Sequence, residues 1–95
     1  KTQFQFSVTD NEKNQKNYEI HTNQQTVGAA LMELDLIAGE EGPYGLYVTT
    51  VNGITLDFDK DGSYWAFYVN GEYASSGVDA TPVTPGAAYS LQAES

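Results

Sequence analysis

The chain has 95 residues, of which 40% are hydrophobic and 13% aromatic, enough for one hydrophobic core in one domain spanning residues 1–95. Thirteen Asp and Glu against four Lys and Arg give a formal charge of −9, which would repel a nucleic-acid backbone and an anionic lipid surface. No stretch approaches the roughly 18–20 apolar residues that a membrane-spanning helix needs, so we expect no nucleic-acid partner and no membrane insertion by this domain.

Alternating apolar residues open the chain and predict a β-hairpin. Residues 4–8 place three apolar side chains on one face of a strand, and residues 18–22 return with the same alternation. The polar residues 10–17 between them predict the turn. The first two elements are therefore expected to be paired strands.

A single amphipathic helix is predicted next. Thr26 is a candidate N-cap, and apolar residues then recur at helical spacing up to Gly39. Gly28 weakens the helix by up to ~1 kcal/mol relative to Ala, so we expect it to allow a close approach of the helix to the sheet. Glu40 and Glu41 follow and predict a solvated loop.

In the rest of the chain the pattern returns to the two-residue period of β-strands, which predicts several more strands. Residues 44–51 and 63–69 are rich in β-branched and aromatic residues, and each is followed by an Asn-Gly turn dipeptide. Residues 87–93 form a last strand. With one helix available to cover one face, the expected fold is α+β, a β-grasp-like mixed sheet with a single helix packed on one face.

Three alternating carboxylates followed by glycine predict a candidate calcium site. Asp57, Asp59 and Asp61 precede Gly62, as at the start of a calcium loop. The twelfth position, where an EF-hand has a bidentate Glu, is Tyr68 within a predicted strand, which excludes an EF-hand. A looser calcium site stays open beside the alternative of a solvated turn.

Aromatic residues are concentrated from residue 44 onward. They include Tyr44, Tyr47, Tyr64, Trp65, Phe67, Tyr68 and Tyr73. Alternation puts Trp65 on one face of its strand and both Tyr64 and Tyr68 on the other. One face should fill the core, and the other is either a platform for a flat or amphipathic ligand or a set of stabilising tyrosine pairs between strands.

Groups for catalysis are sparse. His21 is the single imidazole, it lies opposite the apolar face of its strand, and no serine or aspartate is placed beside it to form a relay. The nine glycines are scattered at turns and form no phosphate-binding motif. We therefore expect a surface histidine and a protein that is not an enzyme.

The order of these segments resembles the transcobalamin-like C-terminal domain family, also known as DUF4430. The most specific parts are YVTTVNG at 47–53 and SYWAFYVNGE at 63–72, followed by Gly77. The resemblance implies a β-grasp-like fold in which one face meets a cobalamin-type ligand, while in the animal carriers a separate helical domain holds the other face. The positions to which it assigns this role are Tyr47, Thr49, Tyr64, Trp65 and Tyr68.

The combined expectation is a non-enzymatic ligand-binding module of a bacterial secreted or surface protein or lipoprotein, located outside the cell. Its partner would be a small amphipathic ligand of cobalamin type. The alternative is a structural or adhesive module that binds a surface protein or a glycan. Lys1 in first position, without an apolar signal segment, favours a piece of a longer exported chain.

Overall fold

A computed structural model of the chain describes residues 1–43 and 45–95. The strands are β1 (Thr2–Thr9), β2 (Gln15–Thr22), β3 (Ile37–Gly42), β4 (Gly45–Val51), β5 (Ile54–Thr55), β6 (Tyr64–Val69), β7 (Glu72–Tyr73) and β8 (Ala88–Glu94). The helices are α1 (Val27–Glu33), α2 (Phe58–Asp61) and a 3-10 helix (Val78–Ala80).

Five strands form a mixed sheet in the order β2-β1-β8-β6-β7. Strands β1 and β8 run parallel, and the other neighbours are antiparallel. The predicted opening hairpin is confirmed, and Phe6 of β1 pairs with Tyr18 of β2 on one side and Tyr89 of β8 on the other. Its turn is shorter than predicted, because β2 already begins at Gln15.

Alternation along the central strands produces one apolar face on this sheet. Phe4 and Phe6 from β1, Tyr89 and Leu91 from β8, and Phe67 from β6 all turn to that face and are buried. The buried side of α1 and the inner residues of the second sheet join them in one core. The opposite face, which is the open face of this sheet, carries polar side chains and the half-buried tyrosines Tyr64 and Tyr68, with Ala66 buried on the same strand.

Helix α1 begins as predicted, but it ends six residues before Gly39. The side chain of Thr26 accepts a hydrogen bond from the backbone N–H of Ala29 at 3.2 Å. The helix ends at Glu33 because Asp35 adopts a left-handed conformation with φ of 58°.

The backbone hydrogen bonds after α1 complete a Schellman cap. The N–H of Asp35 donates to the carbonyl of Met32, and the N–H of Leu36 donates to that of Leu31, both at 3.0 Å. The chain leaves the helix at this cap and enters β3. Residues 37–42, expected to end the helix and form a loop, are therefore a strand.

Gly28 permits a close approach, as expected, although its neighbour is the 3-10 helix rather than a strand. A Cβ built at Gly28 would lie 2.9 Å from the backbone nitrogen of Asp79. The helix backbone thus packs directly against residues 78–79, where any larger residue would force a shift.

The predicted fold class is confirmed as α+β, with a β-grasp-like mixed sheet and α1 packed on one face. The sequence did not predict the second sheet, β3-β4-β5, as a separate unit. Both Asn-Gly turns are confirmed, with positive φ at Asn52, Gly53, Asn70 and Gly71. No helix within residues 1–43 and 45–95 is long and apolar enough to cross a membrane.

Candidate functional site

The five predicted ligand residues lie at three different places. Tyr47 and Thr49 are on β4 of the smaller sheet, whereas Tyr64 and Tyr68 are on the open face of β6. Trp65 is on the opposite face of β6, within the core, and only 7% of it is exposed. These residues therefore do not form one surface.

A β-bulge in β4 shapes the first of these places. Ala38 pairs with Thr50 and Gly39 pairs with Val48, so Thr49 has no partner on β3. The extra residue lets Val48 and Val51, three positions apart, both face the core. The carbonyl of Thr49 accepts a hydrogen bond from the N–H of Leu56 at 2.9 Å, which holds the chain beyond β5 against the bulge.

Beside this bulge lies an open groove of about 530 Å³ between β4 and α2. It is lined by Glu40, Tyr47, Thr49, Thr55, Leu56, Asp57, Phe58 and Asp59. The groove combines two threonine hydroxyls and three carboxylates with two large aromatic rings, one of which carries the Tyr47 hydroxyl. It brings together two of the predicted ligand-binding residues, Tyr47 and Thr49, and two of the predicted calcium ligands, Asp57 and Asp59.

The two aromatic rings of the groove are solvent-exposed. Tyr47 is 53% exposed and Phe58 is 58% exposed. The ring of Tyr64 meets that of Phe58 at a centroid distance of 6.2 Å and an interplanar angle of 67°, so Tyr64 borders the groove through Phe58. Phe58 was not among the predicted site residues, although a large apolar residue within an otherwise polar Asp-rich segment was a usable signal.

The Asp-rich segment forms a capped helical turn rather than a calcium loop. The carboxylate of Asp57 accepts the N–H of Asp59 at 3.0 Å, and that of Asp61 accepts the N–H of Asp57 at 3.2 Å. Gly62 ends α2 in the left-handed conformation. No group of three metal-ligating side chains exists in the described part of the chain, so the structure does not support the calcium prediction.

Tyrosines on the open face of the five-stranded sheet form a second cluster. The Tyr68 hydroxyl donates a hydrogen bond to the carboxylate of Glu94, which raises the pKa of Tyr68 to about 12. The Tyr68 and Tyr73 rings pack edge to face at a centroid distance of 5.6 Å. Burial, with smaller effects of Tyr73 and Glu94, raises the pKa of Tyr64.

The predicted site residue Trp65 lies in the core and is not on either aromatic surface. The indole nitrogen of Trp65 is buried without a hydrogen-bond partner in the described part of the chain. The indole belongs to the main hydrophobic core. Tyr44, which is also one of the aromatic residues predicted as a group, lies outside the described residues.

His21 is exposed on β2, as expected, and its ring nitrogen lies 2.8 Å from the carboxylate of Glu19. This pair is on the five-stranded sheet and does not line the groove.

Fold and groove together define a β-grasp-like α+β domain with an open groove that is aromatic and acidic. The family model described as "Domain of unknown function (DUF4430)" matches residues 11–88, and the chain belongs to that family. The family resemblance drawn from the sequence is thereby confirmed. No curated protein matches the chain.

Two solved structures share the fold. A crystal structure of a candidate metal-binding protein from Ruminococcus gnavus ATCC 29149 matches with a TM-score of 0.93 and 30% identity, covering 99% of this chain and 97% of that one. The crystal structure of haptocorrin in complex with Cbi (cobinamide) matches with a TM-score of 0.81 and 21% identity. That match covers 98% of this chain and 25% of haptocorrin, so the chain corresponds to about a quarter of the haptocorrin chain.

Proposed function

We propose that this domain is a non-enzymatic ligand-binding module that takes a small amphipathic ligand of cobalamin type in the groove between β4 and α2. The observation that carries the proposal is that two exposed aromatic residues, Tyr47 and Phe58, line the same groove as Thr49 of the bulge. Rings of this kind offer flat apolar surface, and the neighbouring hydroxyls offer hydrogen bonds.

The size and openness of the groove suit one face of a ligand. A volume of about 530 Å³ falls in the range of small-molecule sites. An open groove leaves much of a corrinoid exposed to water, so we expect this domain alone to bind weakly, with a Kd in the high micromolar to millimolar range, roughly −4 to −5.5 kcal/mol. A second domain covering the opposite face would raise the affinity.

The comparisons support a ligand of this class. Haptocorrin, which shares the fold, was crystallised with Cbi, and the Ruminococcus gnavus protein is a candidate metal-binding protein. The family resemblance assigns Tyr47 and Thr49 to the corrinoid-facing side, and both line the groove. As part of the same proposal, the parent protein is a bacterial secreted or surface protein, and the domain works outside the cell.

Corrinoid titration tests the proposal. Aquacyanocobinamide and cyanocobalamin are titrated into the domain and followed by visible absorbance and calorimetry. We expect saturable binding of at least one corrinoid, weakened about three- to tenfold by Tyr47→Ala or Phe58→Ala, in line with the loss of one aromatic contact. Tyr73→Ala is the matched control, because Tyr73 is 65% exposed on β7 and does not line the groove.

Two results would contradict the proposal. One is the absence of heat and spectral change at near-millimolar corrinoid. The other is equal weakening by Tyr47→Ala and Tyr73→Ala, which would move the ligand out of the groove.

A second candidate function is adhesion through the open face of the five-stranded sheet, where a protein or glycan would meet Tyr64, Tyr68 and Tyr73. The observation in its favour is the exposure of Tyr73, whose ring packs edge to face against that of Tyr68. Binding to immobilised glycans or surface proteins that is lost in Tyr73→Ala and retained in Tyr47→Ala would favour this candidate over the groove.

A further inference from the structure

We infer that the groove between β4 and α2 selects ligands that carry a positive charge on an aromatic or otherwise apolar body. The inference deepens the proposed function and rests on it in one respect, since it requires that the groove binds a small molecule. It concerns the charge of the ligand and does not depend on a corrin ring.

The side chains that line the groove carry negative charge, and the neighbouring Lys60 of α2 is not among them. Glu40, Asp57 and Asp59 are among its lining residues, and no Lys, Arg or His is. Within residues 1–43 and 45–95, the one ion pair with a nitrogen and an oxygen closer than 4.0 Å joins His21 and Glu19 on β2. A ligand cation in the groove would therefore meet carboxylates that no ion pair of the described chain neutralises.

Two of the three carboxylates are available to a ligand. Asp57 uses one carboxylate oxygen to cap α2 by accepting the N–H of Asp59. The side chains of Glu40 and Asp59 are exposed and accept no hydrogen bond from any described residue. Glu40 stands on β3 and Asp59 on α2, so the two carboxylates border the groove from different elements.

The aromatic rings favour the same sign of charge. The faces of Tyr47 and Phe58 carry the negative part of the ring quadrupole, which attracts a cation within about 6 Å of the centroid. The formal charge of −9 adds a long-range field that attracts cations and repels anions. The aromatic rings, the carboxylates and the net charge thus all favour a cationic ligand over an anionic one.

An amphipathic cation fits these features better than a bare metal ion. Large apolar ring surfaces do not coordinate metals, and no group of three metal-ligating side chains occurs in the described part of the chain. An amine or similar cation attached to an apolar body can contact both rings and place its charge near Glu40 or Asp59.

Three indole probes of matched shape test the inference. Tryptamine is a cation, N-acetyltryptamine is neutral and indole-3-propionate is an anion. Binding is measured at low ionic strength from the NMR chemical shifts of the groove residues. We expect tryptamine to bind about five- to tenfold more tightly than N-acetyltryptamine, and indole-3-propionate most weakly, with the differences shrinking in about 0.5 M salt.

Variants that replace a carboxylate with an amide of the same shape test whether the groove carboxylates cause the preference for a cation. Glu40→Gln combined with Asp59→Asn should reduce the preference for tryptamine to about twofold or less, because each change removes a charge from an exposed side chain. The matched control is Glu12→Gln combined with Glu72→Gln, which removes the same total charge from exposed residues outside the groove. It should keep the preference.

The outcomes separate this inference from the proposed function. Equal affinity for the three probes, or loss of the preference in the control variant as well, overturns the inference even if corrinoids bind. If the probes bind in the expected order but no corrinoid binds, the charge selection is supported and the cobalamin-type ligand is excluded. Failure of all three probes at millimolar concentration overturns the inference as well.

Discussion

Gly39 of β3 lies directly against the backbone carbonyl of Tyr47 on β4. A Cβ built at Gly39 would be 2.0 Å from that oxygen, closer than any side chain can approach. The contact occurs where the Thr49 bulge shifts the register of the two strands. The absence of a side chain at Gly39 therefore permits the strand pairing that presents Tyr47 to the groove.

Replacing Gly39 by Ala should destabilise the domain by about 1–3 kcal/mol or more, because the colliding atom is backbone and cannot rotate away. Gly42→Ala is the control on the same strand: its Cβ would meet nothing closer than the Gly45 carbonyl at 3.5 Å, an ordinary contact. Urea unfolding followed by fluorescence of Trp65 measures both. Equal stability of the two variants would show that β3 and β4 can separate at no cost.

Asp79 joins the 3-10 helix to the smaller sheet by accepting the backbone N–H of Leu46 at 2.9 Å. Asp79→Ala leaves this partly buried donor without its acceptor, so we expect a loss of about 1–3 kcal/mol. Asp79→Asn retains a carbonyl oxygen and should lose less. Thermal unfolding at neutral pH distinguishes the variants, and a change of less than about 0.5 kcal/mol in Asp79→Ala would contradict the role of this bond.

The hydrogen bond from Tyr68 to Glu94 should make stability depend on alkaline pH. The pKa of Tyr68 is raised to about 12, above its ordinary value of 10.0, so the folded state keeps a proton that the unfolded state loses first. This contribution is complete below pH 10 and is lost as the pH rises through 12. Stability should therefore fall across that interval.

Tyr68→Phe removes the titrating hydroxyl and should flatten this decline, and Glu94→Gln should flatten it in part by removing the charge that faces the hydroxyl. Urea midpoints measured from pH 9 to 12 test the expectation. Tyr64, whose pKa is also raised, should leave a residual slope of the same sign. An unchanged slope in Tyr68→Phe would assign the pH dependence to other groups.

Asp57 is expected to stabilise α2 as a cap rather than as a calcium ligand. Asp57→Ala removes the bond to the Asp59 N–H and should cost about 1 kcal/mol, whereas Asp57→Asn, which also caps well, should cost little. The Tm of the wild-type domain should be the same in calcium and in chelator. A rise in Tm with calcium that disappears in Asp57→Asn would restore the ion site.

Local patterns predicted the parts of the fold that depend on near neighbours in sequence. Alternation placed Trp65 and Tyr68 on opposite faces of β6, and the Asn-Gly turns follow from backbone sterics within two residues. The end of α1 was not predictable in the same way. Asp35 takes a left-handed conformation that glycine more often adopts, so Gly39 was the stronger but misleading signal.

The groove was predicted in part. Tyr47 and Thr49 were named by the family resemblance, and Asp57 and Asp59 by their spacing, but as two separate sites. Phe58 was missed because a residue's exposure depends on what packs against it. The meeting of β4 with α2 needs β5 and the hydrogen bond from Leu56 to Thr49, a contact between segments that no periodicity records.

By itself, the sequence determined the acidic charge, the alternating strands, the tight turns and the α+β class, because each depends on composition or on neighbours a few residues apart. Tertiary structure decided that residues 37–42 are a strand, that Thr49 forms a bulge and that Tyr47 and Phe58 line one groove. Those features depend on the pairing of β3 with β4 and on the packing of α2 beside them, where the fit of Gly39 against Tyr47 outweighs local preference.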